Sequence, residues 1–160
     1  MFTRGKFDAD HDRLFAVEEL FVFSWELQEY LLSVTNEDFF KNVRHCLASA
    51  TTVKAPGTTE MQWPSRKRLV KSKHYFAGGS VRFMFEWSTK EVIEALTFSV
   101  DTVGNIVPYI KGGIGDLSND VVNRLLCSYP HPRDATDRVT SIASEWAAAK
   151  LAMKKGPDLV

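Results

Sequence analysis

Apolar and polar positions alternate with two different periods along this chain, and the changes of period divide it into three zones. From Asp10 to Ala48 the period is helical. Asp10 or Asp12 can cap a helix whose apolar positions Leu14, Val17, Leu20, Phe21, Trp25, Leu27 and Leu31 recur at spacings of three and four. The band is wide, which predicts deep burial. Asn36 followed by Glu37 and Asp38 is a second start signal, with acids placed to complement the positive end of a helix. Phe39, Phe40, Val43, Cys46 and Leu47 supply the core face of that helix.

Between Thr51 and Ile110 the period falls to about two, the spacing of strands. Ala77-Gly78-Gly79-Ser80 reads as a two-residue hairpin loop, because paired glycines accept the positive φ angles of a primed turn. Counting outward pairs Phe76 with Val81, His74 with Phe83, Ser72 with Phe85 and Val70 with Trp87, all on one oily face. The other face carries Lys71 across from Glu86, Lys73 across from Met84 and Tyr75 across from Arg82. A turn at Thr89-Lys90 extends the register, placing Leu96, Phe98 and Val100 on the oily side and Ala95, Thr97 and Ser99 on the polar side. A third turn near Val103-Gly104-Asn105 leads to a last strand, where Pro108 favours a sheet edge.

The last zone is helical again. Ser118 can cap Val121, Val122, Leu125 and Leu126; Pro130 with Pro132 ends that helix and starts the next. The final helix buries Val139, Ile142, Ala143, Trp146 and Met153 and stops at Lys154-Lys155-Gly156-Pro157. These readings combine into one α+β domain over residues 1–160, helical at 10–48, a β meander at 51–110 and helical at 117–155. The expected sheet is an antiparallel meander of about four to five strands, flanked by two N-terminal and two C-terminal helices that lie mainly on one sheet face. A meander with one polar face followed by two helices is similar to the coat proteins of single-stranded RNA phages, although the helical N-terminal zone departs from them. That likeness keeps a viral or assembly role open and transfers no residues.

Composition narrows the class without naming a function. At 160 residues, 44% hydrophobic and 25% charged, the chain has ordinary globular proportions, so neither a disordered chain nor a coiled coil is expected. Lys plus Arg and Asp plus Glu are 20 each, so any attraction to a polyanion must come from a local patch. Acids interrupt the N-terminal segment, and Glu18, Glu19 and Glu26 bound the short apolar run Leu20 to Trp25, so neither a secretory signal nor a membrane span is expected. A cytoplasmic or otherwise intracellular site, a virion included, is the resulting expectation. Cys46 and Cys127 belong to no metal-ligand pair and read as buried thiols, with a bridge between them as the alternative.

Candidate chemistry concentrates between Lys54 and Tyr75. Arg66, Lys67, Arg68, Lys71 and Lys73 lie there with Tyr75, and Arg82 joins them across the expected hairpin, giving a basic surface for single-stranded nucleic acid or an acidic protein. A solvated cationic face that merely keeps a sheet soluble is the plain alternative. His74, with Ser72 on the same strand and Glu94 on the same face, marks a candidate pocket between sheet and helices. Residues 111–118, Lys-Gly-Gly-Ile-Gly-Asp-Leu-Ser, lack the spacing of a phosphate-binding loop. Asp8, Asp10 and Asp12 around His11 read as caps rather than metal ligands. His45 and Cys46, about 100° apart on a helix, are not expected to act as base and nucleophile. The leading expectation is a non-catalytic binding or assembly protein without cofactor or metal. A small-molecule-binding protein or enzyme with a pocket at His74, and a structural subunit of a homo-oligomer, are the alternatives.

Overall fold

A computed structural model of the chain describes residues 23–48, 64–104, 106 and 124–155. In chain order these form α1 (Leu27–Ser33), α2 (Glu37–Leu47), α3 (Arg66–Ala77), α4 (Val81–Phe85), α5 (Thr89–Thr102), β1 (Leu126–His131), β2 (Asp134–Ile142) and α6 (Glu145–Lys155). The expected meander is therefore overturned. Among the described residues the sheet is a single antiparallel pair, β1 with β2, and the middle zone is helical.

The physical reason is a set of three serine caps that outweighs the two-residue alternation. Ser65, Ser80 and Ser88 each accept, through the side-chain oxygen, the amide of the residue three positions on, and Glu91 completes a capping box with Ser88. Once the caps set the starts, the core positions recur at helical spacing: Leu69, Val70, Lys73 and Ala77 in α3; Val92, Leu96, Ser99 and Val100 in α5. Phe98 and Ser99 decide between the readings, since a strand would bury the first and expose the second. Phe98 is 61% exposed and Ser99 is 0% exposed, as the helix requires.

The glycine pair is a helix connection rather than a hairpin loop. Gly78 ends α3 with φ 53° and ψ −135°, and a Cβ there would occupy the space of the Ala143 carbonyl oxygen. At Gly79 a Cβ would meet the Tyr129 hydroxyl and lie 2.8 Å from Ser24 Cβ. Both glycines thus let the α3–α4 joint press against the base of the β hairpin. Trp25 N–H donates to Gly79 O at 3.2 Å, and Ser24 N–H donates to Ser128 O at 2.8 Å, so the segment before α1 runs beside β1.

Other element boundaries move for similar reasons. Trp25 lies outside a helix, because Glu26 caps α1 in a reciprocal pair with Glu29; the rest of the expected N-terminal helix lies outside the described residues. Asn36 caps α2 as expected, its Oδ1 accepting Phe39 N–H at 2.9 Å. Pro130 sits in β1 and Pro132 in the turn beyond it, so neither separates two helices; Val139 and Ile142 belong to β2. The core of α6 is Ala147 and Leu151, whereas Met153 is 81% exposed. With the meander gone, the likeness to phage coat proteins goes too. The strand expected before residue 110, its Pro108, the loop at 111–118 and the acidic run at 8–12 all lie outside the described residues.

Helix α3 is the hub of the packing, touching α1, α2, α4, α5 and α6. Its Leu69, Val70 and Ala77 join a core that includes Tyr30, Leu47, Met84, Leu96, Leu125 and Leu151, each contributing on the order of 1.5–3 kcal/mol where a large apolar side chain is fully buried. Because neighbours cover one side of α3, its other side is the surface that the sequence of α3 presents to solvent. No helix among the described residues is long and apolar enough to cross a membrane.

Candidate functional site

Seven positions of α3 divide cleanly around its axis. At 100° per residue, Lys67, Lys71, Tyr75, Arg68 and Ser72 fall within an arc of about 140°, and Val70 and Lys73 fall opposite. All five of the first group are exposed, Tyr75 at 39%; Val70 and Lys73 are 0% and 1% exposed. The helix contains no acid, so nothing on α3 itself offsets its cations.

Arg66, Arg82 and Lys73 instead have structural partners. Arg66 donates to Val34 O at 3.1 Å and Thr35 O at 3.4 Å, pairs with Glu37, and stacks 4.4 Å from the Phe40 ring centroid. It ties the start of α3 to the α1–α2 junction, and its hydrogen bond holds the Glu37 carboxyl below its usual pKa. Arg82, on α4, pairs with Glu86 at 3.2 Å and lies 5.5 Å from the Trp87 ring centroid. Lys73 points into the core, donating to Cys46 O at 2.6 Å and to Trp87 O. Burial lowers its pKa to about 8, opposed by the Cys46 thiol and Glu91. The expected surface of seven residues thus becomes Lys67, Arg68, Lys71 and Tyr75 on α3, joined by Ser72, without Arg66, Lys73 or Arg82.

The candidate pocket residues do not converge. His74 is half-buried with its ring centroid 5.8 Å from that of Tyr30, edge on, and burial lowers its pKa against the opposing charge of Glu145. Ser72 lies about 200° around the same helix, on the solvent face. Glu94 is exposed on α5 and pairs with Lys90 at 3.7 Å.

Three features carried no usable signal in the sequence. His45 Nε2 reaches Cys46 Sγ at 3.2 Å despite the angular separation of helical neighbours. Cys46 is nonetheless 3% exposed and burial raises its pKa, so the contact does not create a ready thiolate. Tyr30 is wholly buried, its hydroxyl has no hydrogen-bond partner among the described residues, and burial drives its pKa upward. Between α5 and α6 an open groove of about 440 Å³ is lined by Val100, Asp101, Trp146, Lys150, Met153 and Lys154. Lys154 donates to Val100 O and to Asp101, joining the end of α5 to α6 in a contact that its place in the last turn of α6 does not foretell. Among the described residues no cluster of three or more His, Cys, Asp or Glu side chains could hold a metal ion.

Comparison with protein-family models, with curated proteins and with solved structures finds no match for this chain. The solvent face of α3 therefore has to be interpreted from its own chemistry.

Proposed function

We propose that this chain is a non-catalytic binding module that holds a polyanion against the exposed face of α3. The observation that carries the reading is an imbalance of charge. Lys41, Arg66, Arg82, Lys90 and Lys154 each have a carboxylate partner within ion-pair distance. Lys67, Arg68 and Lys71 have none among the described residues and stand together on one helix face. Like charges at that spacing repel one another, so the arrangement costs the isolated helix stability and is relieved by a bound anion. A chain with zero formal net charge has no overall field to favour anions, so attraction to a polyanion rests on a local patch such as this one.

The test is a charge reversal that leaves the core alone. Lys67→Glu with Lys71→Glu is expected to weaken retention on a heparin or polyphosphate matrix while melting temperature and helical circular dichroism stay near those of the parent. If three cations meet phosphates of a single strand, the plot of log Kobs against log salt has a slope of about −2. Equal retention of parent and variant, or no retention of the parent at low salt, overturns the proposal.

A further inference from the structure

We infer that the polyanion taken by the α3 face is a single-stranded nucleic acid, with Tyr75 as the ring on which a base stacks; this rests on the polyanion-binding reading above. Lys67, Lys71 and Tyr75 succeed one another at intervals of four residues, about 6 Å of helix rise each. The order along that line is cation, cation, ring, and Arg68 and Ser72 run beside it. The Tyr75 ring is half-exposed and also braced: the Phe76 ring meets it edge to face, at 5.0 Å between centroids and 84° between planes. Phe76 packs against the buried core, so the brace is anchored. A ring already held in place loses little freedom when a second flat group settles on it.

Among polyanions, a single strand matches both halves of this surface. Its phosphates suit the lysines and Arg68, and its unpaired bases offer the flat faces that an aromatic platform takes. A duplex keeps its base faces stacked inside, leaving Tyr75 with nothing to meet. An acidic peptide answers the cations but has no use for the ring. Three cations also make a weak electrostatic site, so the stacking contact supplies the part of the affinity that survives added salt.

Fluorescence anisotropy on the full chain tests this, using oligothymidylate, an abasic oligonucleotide of equal length, a duplex and a poly-glutamate peptide. Expected results are tightest binding to oligothymidylate, a loss of about tenfold for Tyr75→Ala on that ligand, near-parental binding for Tyr75→Phe, and no effect of Tyr75→Ala on the abasic strand. Tyr75 sits on the solvent side, and circular dichroism of each variant confirms that the helix is intact. Tyr75→Ala binding as well as the parent, or the duplex or peptide binding as tightly as the single strand, overturns the inference. If the Lys67→Glu, Lys71→Glu variant still loses binding in that case, the polyanion reading survives alone; if no ligand binds the parent, both fall.

Discussion

The ammonium group of Lys73 donates to the main-chain oxygen of Cys46 at 2.6 Å, near the C-terminus of α2, and to that of Trp87 between α4 and α5. One side chain from α3 thereby satisfies two orphan carbonyls on two other elements. Among the described residues no carboxylate pairs with it, so the charge is held by carbonyl dipoles while burial works against it.

Stability should therefore rise with pH over a defined window. Folded, Lys73 loses its proton near pH 8; unfolded, it keeps the proton to about 10.5. Between these values the unfolded chain binds more protons, and stability increases with pH. Below about 8 both states are charged and the contribution is flat. At 1.36 kcal/mol per pH unit the full window is worth about 3 kcal/mol. The buried thiols and the Tyr129 phenol act in the opposite direction above about pH 9, because burial raises their pKa values. Subtracting the unfolding free energy of Lys73→Met removes most of that background. The difference, parent minus variant, should grow by about 2–3 kcal/mol between pH 7 and 10 in urea titrations; a constant difference would mean that Lys73 is solvated.

Gly78→Ala should be among the most damaging single-methyl changes in the protein. The φ of 53° disfavours any L side chain, and the new Cβ would fall on the carbonyl of Ala143. A loss of at least about 2 kcal/mol is expected, read as a lower urea midpoint. Gly104→Ala provides the contrast, since a Cβ there meets nothing within 4 Å among the described residues. It should leave stability unchanged or raise it by up to about 1 kcal/mol. Equal effects at the two positions would place the α3–α4 joint away from the hairpin.

How legible these features were depends on the kind of signal that encodes them. Asn36 with its following acids announced α2, and Lys154-Lys155-Gly156 announced the end of α6, because caps and dipoles act within one turn. The middle zone misled because Val81, Phe83 and Phe85 alternate over too short a stretch to separate two periods. Ser80 and Ser88 held the correct answer, each three residues before the amide it caps. The paired glycines suggested a hairpin from local conformation alone. Their true demand is spatial, set by residues as distant in sequence as Ala143 and Tyr129, and no local pattern reports it. The basic segment was visible as composition, but only the helical period shows which cations share a face. Lys73 shows the limit: a lysine among lysines gave no sign of being buried.

Both cysteines should resist modification in the folded protein. Cys46 is 3% and Cys127 7% exposed, and neither is bridged. Burial raises both thiol pKa values; around Cys127, hydrogen bonds from Ser24, Gly79 and Tyr129 only partly oppose it, and at Cys46 the Lys73 charge does the same. Since the thiolate is the reacting species, exposure and ionisation act in the same direction. Labelling with a chromogenic disulfide at pH 8 should run on the order of a hundredfold slower than for a free thiol, and become fast for both residues in denaturant. Cys46→Ala and Cys127→Ala variants assign the phases. Rapid labelling of Cys46 in the native state would show that the end of α2 opens readily. Slow labelling of both would leave the α3 face, and not either thiol, as the chemically available feature of the described fold.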